Sequence, residues 1–287
     1  MSAFSLDPAD DKSRLLGTIK TGKFKGERIY VEKLSPEDPM YVLRQRVNLD
    51  KGRMEPNINT KIREITYING QSGAGKSTLA AKIAKTFRKA NKDKQICIFS
   101  GKNAMEDPAF VKLAPFLQIR LDRAMVEKPI LLSDFQEGSL VIFDDIGTIK
   151  DKEIEAEVES LAMQIMEVAR YKGINMIITS HVVTKNTPLY QLLKVELHNF
   201  VFFPSTGVGK PMKRFLEDVY CLAPKDIRAI LKINEDEEFA WILLQKTTPK
   251  LIMNPHGVEM LKHFINRNDE EILAMKIAAK KIAAKSK

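Results

Sequence analysis

The chain has 287 residues, 44% of them apolar and 29% charged, and its 46 basic against 37 acidic side chains leave a formal charge of +9. That is enough apolar material for one large α/β domain with appendages. The positive excess suits a polyanionic partner, nucleic acid first and an acidic membrane surface second. Cys97 and Cys221 lie far apart with no Cys/His cluster, which excludes a disulfide framework and a zinc site; both read as buried thiols of a reducing compartment. No apolar run approaches the ~20 residues of a membrane helix. The opening MSAFSLDPADDKSR has no signal-peptide core, so an intracellular protein is expected.

In chain order, residues 1–13 are polar and expected to be disordered. In residues 15–34, Gly22 and Gly26 interrupt β-rich pieces, which predicts one or two short strands. Pro36, Pro39 and Pro56 then punctuate a segment carrying Arg44, Arg46, Lys51 and Arg53. This leader packs on the edge of the core or on a neighbouring subunit; the residues leave both open. Residues 65–68 (ITYI) predict a strand, and after the glycines that follow, Leu79, Ile83 and Phe87 form one stripe of a helix. Residues 95–100 (QICIFS) read as a buried strand and 116–121 as a second, with Pro108, Pro115 and Pro129 breaking the rest. Residues 139–145 (SLVIFDD) are an apolar strand ending in two carboxylates. Over 151–171, Ile154, Val158, Leu161, Ile165 and Val168 are spaced as one helical face, closed by Gly173. Residues 175–181 (NMIITSH) predict a strand with a polar tip, and 199–204 (NFVFFP) a further one. Helices over 211–233, a strand over 240–247 and a helical tail from about Val258, ending KIAAKKIAAKSK, complete the chain. The organisation expected is an N-terminal extension (1–60), a core domain (61–256) and a basic helical tail (257–287). Strands alternating with helices predict an α/β fold whose mainly parallel sheet is covered on both faces, with ligands at the carboxyl ends of the strands.

The chemistry concentrates there. Gly70, Gln71, Ser72, Gly73, Ala74, Gly75, Lys76 and Ser77 fit the phosphate-loop pattern G-x-x-x-x-G-K-[ST] without a mismatch, and Thr78 continues it. Glycines let successive backbone N–H groups turn inward around a polyanion, and the helix that starts there adds its partial positive charge. Lys76 can reach the β- and γ-phosphates of ATP, and the Ser77 hydroxyl can ligate Mg²⁺. The alternative is a Gly-rich turn before a surface helix. Asp144, at the end of its strand, is a candidate for the same Mg²⁺, and Asp145 for the base that orients or deprotonates the attacking water. A helix N-cap is the structural alternative for this pair. At least one strand intervenes in the chain between the loop and the Asp pair, which suits ATP-driven motors better than small-molecule kinases. His181, with Thr179 and Ser180, is placed to sense the γ-phosphate, or is a capped loop histidine.

Four stretches together, GQSGAGKST at 70–78, SLVIFDD at 139–145, ARYKGINMIITSH at 169–181 and HNFVFFP at 198–204, resemble the FtsK–HerA superfamily of P-loop ATPases, in particular the genome-packaging ATPases of large double-stranded DNA viruses. The resemblance spans roughly residues 65–235. It implies a P-loop NTPase fold of the RecA-like ASCE type, ATP and Mg²⁺ as cofactors, and a homo-oligomeric ring, hexameric or pentameric. It further implies translocation of double-stranded DNA into a preformed capsid, with capsid or portal-vertex proteins as partners, in the host cytoplasm at sites of virion assembly. In such rings an arginine from one subunit completes the next subunit's site. Arg170 is the first candidate, ahead of Lys172 and Arg214; its alternative is a helix-terminal charge complementing the dipole. Two positions depart from the family's pattern, Asp145 where Glu is frequent and His181 where Gln commonly ends the strand. The competing readings are a nucleoside or nucleotide kinase and a secretion or phage-assembly ATPase of the same superfamily.

Overall fold

A computed structural model describes residues 2–6, 13–35, 37–57, 62–206 and 209–285. The leader forms β1 (Ser2–Ser5), β2 (Arg14–Thr21), β3 (Arg28–Lys33), β4 (Arg46–Asn48) and β5 (Arg53–Pro56). The core begins with β6 (Ile65–Asn69), α1 (Lys76–Ala90), β7 (Ile96–Ser100), β8 (Leu117–Arg120) and α2 (Ala124–Glu127). It continues with β9 (Leu140–Asp144), α3 (Lys152–Glu167), β10 (Asn175–Ser180), α4 (Pro188–Glu196) and β11 (Asn199–Phe202). Last come α5 (Lys210–Tyr220), α6 (Pro224–Leu231), β12 (Ile242–Gln245), β13 (Leu251–Asn254), β14 (Gly257–Met260) and α7 (Leu261–Lys285).

Among the described residues the main sheet has the order β4-β14-β13-β12-β11-β6-β10-β9-β7-β8. From β11 to β8 every pairing is parallel. In β6, β7, β9, β10 and β11 every residue is buried, as a sheet covered on both faces requires. Helices bury the two faces separately. On one, Leu79, Ile83 and Phe87 of α1 pack with Ile68, Ile98 and Ile142 of the sheet. On the other, Val158, Leu161 and Ile165 of α3 pack with Val141, Phe143 and Met176, alongside residues of α4, α5 and α6. Local signals start these helices where they are needed. Asp151 caps α3 by accepting from the N–H groups of Glu153 and Ile154. Pro188, Pro211 and Pro224 lie in the first turns of α4, α5 and α6.

The α/β class and the sheet covered on both faces are as expected. In the sheet, however, the strand between β6 and β9 is β10, which follows both in the chain, so the polar tip of residues 179–181 lies between the loop and the Asp pair.

The ends of the chain differ more from expectation. Ser2–Ser5, expected to be disordered, pairs with β3, because Ala3 and Phe4 bury their side chains there; residues 7–12 lie outside the described residues. The leader's four-stranded sheet, β1-β3-β2-β5, packs on the α1 face of the core through Leu16, Ile19, Ile29 and Met54. Its β4 leaves that sheet to pair with β14, at the far edge of the main one. Val258 therefore belongs to a strand, the tail helix begins at Leu261, and the main sheet runs across both divisions drawn at 60 and at 256. Cys97 is buried, its thiol pushed up to about 12 by burial, but Cys221 is exposed, as a left-handed residue ending α5. The side chains of Lys276 and of residues 278–287, and Pro36, lie outside the described residues.

Candidate nucleotide site

The turn from β6 into α1 carries the phosphate-loop pattern, at the carboxyl edge of the parallel strands. Gly73 and Gly75 have φ of 81° and 98°, a backbone that any side chain would strain. Their conformation turns the loop so that α1 opens at Lys76 with Gly75 as its N-cap. Gln71, Ser72 and Gly73 form the exposed crest, while Ala74 is buried beneath. Gly70 is anchored by its N–H to the Ser180 carbonyl at 3.2 Å, and the neighbouring Asn69 amide donates to the same oxygen at 3.0 Å. The loop is thus tied to the tip of β10.

Asp144 closes β9 with its carboxylate turned to the loop. Its Oδ1 accepts from Ser77 Oγ at 3.0 Å and from Thr179 Oγ1 at 2.9 Å. Burial pushes the Asp144 carboxyl above its ordinary range, and those two hydroxyls pull it back. Lys76 Nζ donates to the Gln71 carbonyl at 3.0 Å. Burial lowers the pKa of this ammonium, with the charges of Asp145 and Asp144 opposing. Asp145 stands in the left-handed region, φ 55°, with its N–H on Thr179 Oγ1 at 2.8 Å. Its Oδ1 lies 3.4 Å from His181 Nδ1. Neither aspartate caps α3; Asp151 does that.

Lys76, Ser77, Thr78, Asp144 and Asp145 therefore line one cavity of about 520 Å³, with Ser72, Gly73 and Gly75. His181 reaches it through Asp145. Arg170 does not reach it within this chain. It precedes β10, at the opposite end of the strand from Ser180, is 73% exposed and pairs with Glu196 at 3.1 Å. Lys172 is used structurally, donating to the carbonyls of Leu132 and Phe135. Arg214 faces a separate cavity with Lys194, Lys210 and Asp218.

Sequence reasoning missed Lys102, Asp107 and Thr148, which complete the wall. The first two follow the tip of β7, and the rule that ligands bind beyond the carboxyl ends of strands would have pointed to them. It also passed over Thr179 as a direct partner of both aspartates. Ser77 Oγ and Asp144 Oδ1 are hard oxygens converging from two elements, and this donor set suits Mg²⁺, which prefers oxygen and retains several waters.

No family model matches the chain. A protein of Sputnik virophage, named Uncharacterized protein V3, is 30% identical over 253 residues, covering 87% of this chain and 96% of that protein. The chain belongs to that virophage protein's family. Among solved structures, the chain is similar to B204, the DNA-packaging ATPase from Sulfolobus turreted icosahedral virus, at 13% identity and a TM-score of 0.48, over 67% of this chain and 96% of that one. It is also similar to EssC (ATPases 2 and 3) from Geobacillus thermodenitrificans, at 13% identity and a TM-score of 0.43, over 93% of this chain and 50% of that one. The V3-family chain has a P-loop NTPase-type fold, with the phosphate loop between β6 and α1 and the loop strand β6 and the acid strand β9 flanking β10, and its four motifs resemble those of the FtsK–HerA superfamily.

Proposed function

We propose that this V3-family protein is an ATP-hydrolysing motor that drives double-stranded DNA into a preformed capsid. The observation that carries the reading is the Ser77–Asp144–Thr179 contact, which joins the phosphate loop, the acidic strand and the strand between them in one hydrogen-bonded unit. The backbone amides of residues 73–78 cradle the β- and γ-phosphates, and Lys76 leaves the Gln71 carbonyl to neutralise them. Ser77 and Asp144 would hold Mg²⁺, which would supply charge neutralisation at the phosphate oxygens. Asp145 accepts the proton of the attacking water, and His181 orients that carboxylate. Because Thr179 contacts both aspartates, loss of the γ-phosphate is transmitted to β10.

Arg170 acts in trans, from the neighbouring subunit of a ring, which suits its distance from this chain's own site. The charge of +9 suits contacts to DNA phosphates that position the duplex without reading its sequence. Among the described residues no helix is long and apolar enough to cross a membrane. Capsid or portal proteins are the docking partners, in the host cytoplasm where virions assemble.

Steady-state ATP hydrolysis with and without double-stranded DNA, with the mass of the assembled particle, tests this. Turnover should rise with DNA and fall by about 10²- to 10³-fold in Lys76→Ala. An assembled ring indifferent to DNA would refute the motor; a Lys76→Ala protein with full turnover would refute the ATPase.

A further inference from the structure

The phosphate loop separates two cavities. One, described above, contains the acidic pair. The other, of about 560 Å³, lies on the opposite flank of β6, toward β11 and β12, and shares Gly73, Gly75 and Thr78 with the first. A triphosphate laid across the loop with its γ end at Asp144 directs its α end, and whatever is joined to it, past Thr78 into this second space.

The second cavity has the chemistry of a nucleoside pocket: mostly apolar walls of adequate volume with a few polar groups. Phe239 is 52% exposed although it lies beside buried Trp241. Its backbone is left-handed, φ 59°, which is rare for a bulky residue and marks a position fixed by its surroundings. The turn that holds it is built by Ala240 N–H on the Glu237 carbonyl and Glu237 N–H on that of Asn234. The ring is presented directly against the loop: a Cβ added to Gly75 would lie 3.5 Å from Phe239 and 3.8 Å from Phe203.

The leader supplies the facing wall through Lys20, Arg53, Met54 and Glu55. It is fastened at this point. Met54 N–H donates to the Pro255 carbonyl at 2.7 Å, and Arg53 pairs with Glu237, on the Phe239 turn, at 2.8 Å. His256 holds the same Glu237 at 2.7 Å and the Gly52 carbonyl at 2.8 Å. Glu55 accepts from Lys20 and from Lys82 of α1, joining leader to loop helix.

We infer that this cavity binds the base and ribose of the nucleotide, with the base stacked on Phe239 and the N-terminal sheet closing over it. The inference rests on the ATPase reading and adds a function for the leader, which is then part of the nucleotide site.

The protein carries one tryptophan, Trp241, in the wall of this cavity, so its fluorescence reports on occupancy. In the full-length chain with Mg²⁺, ATP should change that emission, whereas inorganic tripolyphosphate, followed by calorimetry, should bind without the same change. Phe239→Ala should weaken ATP binding by about 10-fold or more, the loss typical of an aromatic removed from a base, and leave tripolyphosphate affinity intact. Phe239→Tyr, which keeps the ring, should retain ATP affinity. A Phe239→Ala protein that binds ATP like the parent, or loses ATP and tripolyphosphate equally, overturns the nucleoside pocket. A parent chain that binds neither compound overturns the ATPase reading beneath it.

Discussion

At the amino ends of β6, β10 and β11 the polar groups close on one another, whereas at the carboxyl ends of β6, β7 and β9 they face a cavity. At the amino end, buried Glu64, 1% exposed, pairs with Arg14, and its second oxygen accepts from Asn199 at 3.1 Å. The Glu64 N–H goes to Asn175 and the Ile65 N–H to the imidazole of His198. At the carboxyl end, Asp144 is buried against two hydroxyls with Asp145 beside it, and Asp145 holds a left-handed backbone. One end of the sheet spends its charges on holding strands together, and the other keeps them strained and desolvated for a ligand. Stability and activity should therefore respond to different substitutions.

Arg170 is the sharpest test, because it lies at the amino end yet is assigned to catalysis. Its exposed pair with Glu196 is worth less than about 1 kcal/mol, so Arg170→Ala should leave the melting temperature nearly unchanged. Turnover of the assembled ring should nevertheless fall on the order of 10³-fold, with ATP binding intact. Unchanged turnover would return Arg170 to the structural end. Glu64→Ala should do the reverse. Breaking a buried pair leaves Arg14 uncompensated and should cost about 3 kcal/mol in denaturant unfolding, with ATP affinity preserved in the folded fraction.

Asp144→Asn should separate the two roles at one residue. A carboxyl whose folded-state pKa is raised above its ordinary 3.8 binds its proton more tightly folded than unfolded. Its ionisation therefore destabilises the fold as pH rises through and above that value. The variant lacks this penalty, so without nucleotide it should melt above the parent at neutral pH while losing hydrolysis. The gain should shrink to nothing below pH ~4. At neutral pH the smallest effect belongs to His198, whose pKa burial lowers from 6.5 to about 4. The unfolded chain takes up this proton first, so stability falls as pH drops from about 6.5 toward 4. His198→Asn should flatten that portion of a thermal-melt pH series and do little at pH 7.

Much of the carboxyl end was legible in the sequence because phosphate chemistry demands particular residues at fixed spacing. The Gly70–Ser77 pattern and the Asp pair located the loop, β6 and β9 before any coordinates. The apolar runs inside β7 (ICIF) and β10 (MII) were equally plain. What surrounds the second cavity was not. β13 and β14 are four-residue strands around a tight turn, and LIMN and GVEM lack the length to show a period of two. β4 reads Arg-Val-Asn, which carries no strand pattern, and its partner lies some 200 residues away. Phe239 lies in a polar loop, where nothing in its neighbours announces an exposed ring. Local periodicity reports which residues are buried, but not against what, so the leader's destination stayed open.

The rung between Val47 and Val258 also matters for anyone trimming this protein. Cutting before residue 61 would not liberate a self-sufficient core. It would strip the last strand from a ten-stranded sheet and leave β14 as a bare hydrogen-bonding margin, beside an α1 face shorn of its apolar cover. Such a margin recruits other chains, so a shortened protein should emerge as aggregate where the intact one folds.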